Sequence, residues 1–287
     1  MEARSIAGQS DDVRAGMHAM WASVAEGWGE HADFTDVRAA PITDKLLQLS
    51  TPKPRERVLE LACGPGGVGL AAADRVGAEG LVVMSDVAAE MTAIAAERAA
   101  ALGLTNVTTR VRDLEQIDEP DESFDVVVCR EGFQFAIDPA RAAREIRRVL
   151  RSDGRFAIAV WGPREENPWL GVVLDAVSAQ VGAPVPPPGI PGPFALGDRD
   201  ELGRLLTGAE LRDVVVGDVP APMRIGSFDQ WWTRTTALAG PIAKLVESLP
   251  ADAAEALRAR AREAASAYET PDGFEFPGVS LIAAGRR

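Results

Sequence analysis

The chain's 287 residues, 46% hydrophobic and 25% charged, suit one large α/β domain or one domain with an elaborated cap. A formal net charge of −13, without any Lys/Arg run of the kind that tracks phosphates, argues against nucleic acid and anionic membrane surfaces as partners. No apolar stretch reaches bilayer-spanning length, and Met1 to Asp12 lacks the basic-then-apolar layout of a signal peptide, so a cytoplasmic protein is expected.

In chain order, residues 13–49 carry helical signals: Val13, Met17, Met20, Trp21, Val24, Ala25 and Trp28 recur at helical spacing. Gly27 and Gly29 interrupt that pattern, and Pro41-Ile42-Thr43-Asp44 is expected to open a second helix through Leu46, Leu47 and Leu49. Both histidines, His18 and His31, lie in this arm. An imidazole near an active site can take a proton from an acceptor hydroxyl, and His31 is the candidate for that role. Val58, Leu59 and Leu61 then form a short buried strand that runs into a glycine turn and a helix. Gly64 and Gly66 in that turn let a ligand approach backbone N–H groups closely. The spacing Gly64-x-Gly66-x-x-Gly69 also satisfies the dinucleotide fingerprint, so the turn alone leaves two cofactor classes open. Glu60 shifts the balance, because a carboxylate inside a buried strand calls for a partner such as a cationic ligand group.

After the helix Val68–Val76, a second strand, Leu81–Met84, ends at Ser85-Asp86, where an acid is placed to accept hydrogen bonds from ribose hydroxyls. A helix over 88–102 packs Met91, Ile94 and Ala95 on the sheet, and a third strand from Asn106 closes on Arg112-Asp113-Leu114. Residues 123–130 form the clearest strand, an apolar run suited to the centre of a parallel sheet, and lead into Glu131-Gly132-Phe133-Gln134-Phe135. Asp138-Pro139 starts a helix, Ser152-Asp153-Gly154 turns it, and Arg155–Trp161 is strand five. Beyond lie a helix from Asn167-Pro168 to Val181, a Pro/Gly-rich loop over 184–193, a helix over 198–207, strand six over 211–219, helical inserts over 228–240 and 251–268, and a last strand over 276–284. Cys63 and Cys129 have neither metal-site nor disulfide spacing and read as small buried hydrophobes.

The stretch Val58-Leu59-Glu60-Leu61-Ala62-Cys63-Gly64-Pro65-Gly66-Gly67 resembles the first motif of class I S-adenosylmethionine (SAM)-dependent methyltransferases, of the kind that serves ubiquinone and menaquinone biosynthesis. Further motifs extend the resemblance over about residues 20–161. It implies an α/β Rossmann-like seven-stranded sheet of order 3-2-1-4-5-7-6, the last strand antiparallel, with helical cap insertions. It divides the chain into a helical lid (1–50), a SAM-binding core (51–162) and the remainder of the sheet with insertions near 163–197 and 225–272. It also implies cofactor contacts at Trp28, Glu60, Ala62, Gly64, Gly66, Asp86, Val87 and Met91. In the same comparison Asp113 and Leu114 meet the adenine, the Arg130 carbonyl takes the methionine amine, and Gln134 and Phe135 face the acceptor; Trp161, with Trp169, Phe194, Trp231 and Trp232, gives the expected cap an aromatic lining. Trp21, Ala25 and Trp28 correspond to a lid pattern over the cofactor, with Trp28 offering its indole N–H to a carboxylate. Asp153 stands where the family has glycine after the fifth helix.

The sulfonium methyl of SAM leaves a neutral thioether, so such an enzyme mainly aligns its acceptor, and the motifs name the cofactor better than the substrate. The expected function is methyl transfer, yielding S-adenosylhomocysteine, to a small aromatic or hydrophobic acceptor at O, C or N. Glu131 and His31 are the candidate bases. Residues 130–133 offer no Asp/Asn cluster for a metal, so a metal-independent reaction is expected. Monomer and homodimer both fit. The rival readings are a non-catalytic SAM-binding protein and an NAD(P)-dependent oxidoreductase.

Overall fold

Two runs of β-branched and leucine side chains, Arg57–Leu61 (β1) and Phe124–Arg130 (β4), pair in parallel at the middle of a sheet, with Val58 opposite Val126 and Leu61 opposite Cys129. Both are buried on two faces, which is why they read as nearly continuous apolar runs. The computed structural model describes residues 2–188, 190–239 and 241–287. In chain order the elements are α1 (Glu2–Glu30), α2 (Ala32–Ser50), β1, α3 (Gly67–Val76), β2 (Leu81–Asp86), α4 (Ala89–Ala101), β3 (Val107–Val111), β4, α5 (Pro139–Val149) and β5 (Leu150–Trp161). Then follow α6 (Pro168–Val181), α7 (Arg199–Gly208), β6 (Arg212–Pro220), β7 (Met223–Ile225), α8 (Phe228–Leu238), α9 (Pro241–Ser248), α10 (Ala251–Ala265), β8 (Glu269–Thr270), β9 (Gly273–Phe276) and β10 (Val279–Arg286).

The main sheet has the order β3-β2-β1-β4-β5-β10-β6, with β10 antiparallel to both neighbours. With β10 counted as the seventh strand of this sheet, that is the expected order. One face is covered by α2, α3 and α4, whose Ile42, Leu46, Leu47, Val68, Ala72 and Ala95 pack on Val58, Val126 and Val128. The other is covered by α5 and α7 through Ile146, Leu202 and Leu206. A third apolar cluster, built on Trp169, Val173, Trp231, Leu257 and Phe276, forms the cap. No helix among the described residues is long and apolar enough to cross a membrane.

Several local expectations are corrected. Helix α1 runs through Gly27 and Gly29 instead of breaking there. A Cβ on Gly27 would lie 3.1 Å from the Ala237 carbonyl oxygen and one on Gly29 3.1 Å from Ile94, so these glycines allow α1 to press against α8 and α4. Pro41 sits inside α2, which begins nine residues earlier at Ala32, and its following residues Ile42, Leu46 and Leu47 are buried in the core. Burial of that face outweighs the lost backbone hydrogen bond. The turn Ser152-Asp153-Gly154 is a bulge inside β5, where Asp153 adopts φ 64° and the register against β4 shifts. The last strand begins at Val279, because Pro277 and Gly278 separate it from β9, which joins a second small sheet of order β7-β9-β8.

Candidate active site

Glycine conformation sets the loop between β1 and α3. Gly64 and Gly66 take φ of 50° and 92°, in the left-handed region, and no atom outside the adjoining residues lies within 4 Å of where a Cβ on Gly64 would stand. Ala62, at φ 48°, shares their left-handed backbone and meets Gly132 so closely that a Cβ there would fall 2.3 Å from its own. The ends of β1 and β4 are thereby drawn together.

Beneath the loop lies Glu60, 2% exposed, whose Oε1 accepts from the Val68 N–H (3.2 Å) and Oε2 from the Gly69 N–H (2.8 Å). The partner its burial demands is thus the start of α3 itself, where the helix dipole also favours an anion. Burial pushes the Glu60 carboxyl up to about 7, against the pull of Arg130 and the two amides. At the end of β2, Asp86 accepts from the Gly64 N–H (2.9 Å) and the Ala88 N–H (3.0 Å). It is buried, which raises its pKa, while the amides of Ala88, Gly64 and Val87 hold the rise back. Past β3, Asp113 Oδ1 accepts from the Glu115 N–H at 2.8 Å, and the Leu114 side chain turns into the core. Asp86 and Asp113 thus stand at the ends of adjacent strands, with the glycine loop one strand further along the sheet.

Three arrangements around these strand ends have no signature in local sequence. Helix α1 lies across them: Arg14 pairs with Asp113 (2.5 Å) and Glu115 (2.7 Å), and Trp21 meets Phe135 edge-on at 4.9 Å. Val24 and Ala25 cover Met91 and Ala88. His18, not His31, is the histidine brought to a site acid, with Nε2 3.5 Å from Asp113; His31 stands at the α1–α2 junction just before α2, and its side chain makes no capping hydrogen bond to that helix. The Trp28 indole N–H, expected to meet a ligand carboxylate, donates instead to the Leu238 carbonyl at 3.2 Å. Second, the Arg130 guanidinium is tied to Asp36 (3.0 Å) and Thr43 (2.7 Å), and Asp36 to Arg98 (2.7 Å), which donates to the Pro65 carbonyl (2.8 Å). This chain of charges grips the loop from above and leaves no room for a side chain at Gly67.

Third, on the far side of β4, Glu131 takes φ 55° and accepts from the Ser280 hydroxyl at 2.7 Å. Its other oxygen faces Arg38 at 3.4 Å. Gln134 donates to the Glu131 carbonyl (2.8 Å), and Trp161 packs on Trp169 with ring centres 4.6 Å apart. Arg38 was recoverable in principle: it stands four residues before Ile42 and eight before Leu46, on the apolar stripe of α2. Cys63 and Cys129 are buried free thiols, raised by burial, Cys129 to about 12, in keeping with their reading as hydrophobes.

Residues 58–154 match a family described as a methyltransferase domain. Nocamycin O-methyltransferase of Saccharothrix syringae is 34% identical over 154 residues, covering 51% of this chain and 55% of that protein. A ubiquinone/menaquinone biosynthesis C-methyltransferase of Xanthomonas oryzae pv. oryzae is 38% identical over 107 residues, covering 37% and 42%. The chain thus spans about half the length of the curated relatives it matches. Among solved structures, the YcgJ protein of Bacillus subtilis superposes with a TM-score of 0.59 at 20% identity over 85% of this chain and 97% of that one, a likeness of fold. The segment that builds the glycine loop and the two carboxylate-bearing strand ends, residues 58–154, is thus the part of the chain that is similar to the methyltransferase domain family.

Proposed function

We propose that the protein binds SAM across the carboxyl ends of β1 to β4 and moves its methyl group to a small aromatic or hydrophobic acceptor without a metal ion. The observation that carries this reading is the pair of acids, Asp86 and Asp113, at adjacent strand ends beside an open, left-handed Gly64. A ribose and an adenine attached to one another call for two neighbouring acceptors, which adjacent strand ends supply, and the matched methyltransferase domain family supports the assignment.

Bound SAM would supply an electrophilic methyl carbon. In this reading Asp86 accepts from the ribose hydroxyls, Asp113 from the adenine amine, and the Leu114 N–H donates to the ring. The Arg130 carbonyl takes the ammonium of the amino-acid tail, while Glu60 acts as a positioning residue by fixing the amides of Val68 and Gly69. Helix α1 excludes water through Trp21, Val24 and Ala25. Gln134, Phe135 and Trp161 bound the acceptor, and Glu131, held by Ser280, receives a proton when the acceptor must lose one. Relatives named as an O-methyltransferase and a C-methyltransferase make oxygen and activated carbon the first acceptor atoms to try. The test is calorimetric titration with SAM, followed by assay of S-adenosylhomocysteine release over a panel of phenols and β-dicarbonyls. Failure to bind SAM refutes the proposal.

A further inference from the structure

Three of the four buried side-chain polar atoms that lack a hydrogen-bond partner among the described residues sit in one cluster: Arg38 Nε, Gln134 Oε1 and Trp169 Nε1. The Arg38 guanidinium carbon lies 4.8 Å from the Trp169 ring centre and 5.3 Å from that of Trp161. Its side chain is only 10% exposed, and its single ion-pair partner among the described residues, Glu131, is 3.4 Å away, longer than the roughly 2.7–2.9 Å of a tight charge-assisted bond. Gln134, 1% exposed, spends its N–H on the Glu131 carbonyl and keeps its oxygen unused. Folded proteins rarely leave buried polar groups unpaired, and each one left so costs stability. Three together, two donors and one acceptor, with Arg38 against Trp169 and Gln134 joined to Arg38 through Glu131, describe the complement of a ligand. That ligand is flat, carries an oxygen for Arg38 and Trp169, and carries a hydroxyl or N–H for Gln134.

We propose that Arg38 determines acceptor specificity, selecting a flat small molecule that bears an anionic oxygen, as carboxylate, phenolate or enolate, beside a hydroxyl or amine. This rests on the methyltransferase reading. A guanidinium stacked on indole suits such a group better than an ammonium, because it keeps its planar fork while covering the ring. The same chemistry would serve the carboxylate of the cofactor's amino-acid tail, so the experiment separates the two sources.

The full chain, saturated with S-adenosylhomocysteine, is titrated calorimetrically with 1-hydroxy-2-naphthoate and with 1-naphthol, which lacks only the carboxylate. Wild type is compared with Arg38→Lys, Arg38→Met and the double variant Arg38→Met/Glu131→Gln. The double variant removes the uncompensated buried carboxylate that Arg38→Met leaves behind and covers the case in which the single variant does not fold. The expected result is a preference for the carboxylate of at least about tenfold in wild type and an intermediate preference in Arg38→Lys. In the Met variants that fold, the preference falls below about threefold with S-adenosylhomocysteine affinity held within about twofold. Equal or absent binding of the two probes to the loaded wild type overturns the proposal, as does a preference that survives loss of Arg38. A drop of about tenfold or more in S-adenosylhomocysteine affinity assigns the arginine to the cofactor and overturns it too. Failure of wild type to bind S-adenosylhomocysteine at all is a separate outcome that refutes the methyltransferase reading itself.

Discussion

Replacing Asp86 separates two jobs that one carboxylate is asked to do. It is 7% exposed and accepts the amides of Gly64 and Ala88 at 2.9 and 3.0 Å. Asp86→Ala leaves both N–H groups without their acceptor, at about 1–3 kcal/mol each; water entering the vacated space recovers part, so a loss of about 2–4 kcal/mol in unfolding free energy is expected. If the carboxylate also accepts from ribose hydroxyls, a charge-assisted bond of about 1.5–3 kcal/mol goes as well, a roughly 10- to 150-fold rise in the Kd for SAM. Asp86→Asn keeps the shape but only one of the two oxygens that accept from the turn, so it costs one turn bond as well as the charge, and its unfolding free energy measures that part of the change. Urea unfolding and calorimetric titration with S-adenosylhomocysteine on wild type and both variants read the two quantities independently. A folded Asp86→Asn protein with unchanged affinity would refute the ribose assignment and leave Asp86 as a builder of the turn alone.

Glu131→Gln should slow turnover at least about tenfold with a base-dependent acceptor while sparing SAM affinity, and equal rates in a stopped assay would retire it as a base. Arg14→Ala removes a partner that competes for Asp113, so SAM should bind about two- to fivefold tighter, as expected of a partly exposed pair worth about 0.5–1 kcal/mol; weaker binding by calorimetry would show that Arg14 supports the site. Gly67→Ala places a Cβ 2.1 Å from Asp36 Oδ1 and 2.5 Å from Arg130, and should cost about 1–3 kcal/mol in urea unfolding, whereas Gly208→Ala, with nothing within 4 Å, should not destabilise. Glu60 is raised from 4.5 to about 7 in the folded protein, so wild type should lose about 3 kcal/mol of stability as pH rises through that window. Glu60→Gln should flatten the profile, and parallel curves between pH 4.5 and 8 would contradict the raised value.

The parallel half of the sheet was legible because its signals are local. A run such as Phe124–Arg130 carries its own burial pattern, and Asp86 and Asp113 are fixed by their distance from strand ends. What escaped depends on partners far along the chain. Gly27 and Gly29 look like helix breakers until Ala237 and Ile94 are seen lying against them. Trp28 looks like a ligand donor until Leu238, 210 residues on, takes its N–H. Arg14 finds Asp113 across 99 residues, and Glu131 finds Ser280 across 149. Strands as short as β7 and β8 fall below any alternation that a sequence can display.

The position of β10 between β5 and β6 has a consequence for how the protein comes to exist. During synthesis these residues leave the ribosome after the other six strands of this sheet, so until then β5 and β6 each present a bare edge in a half-assembled sheet. The same late segment delivers Ser280 to Glu131. Closing of the seven-stranded sheet and anchoring of Glu131 are therefore a single event, and a nascent chain stalled before residue 279 would expose sheet edges and leave Glu131 without its hydroxyl donor.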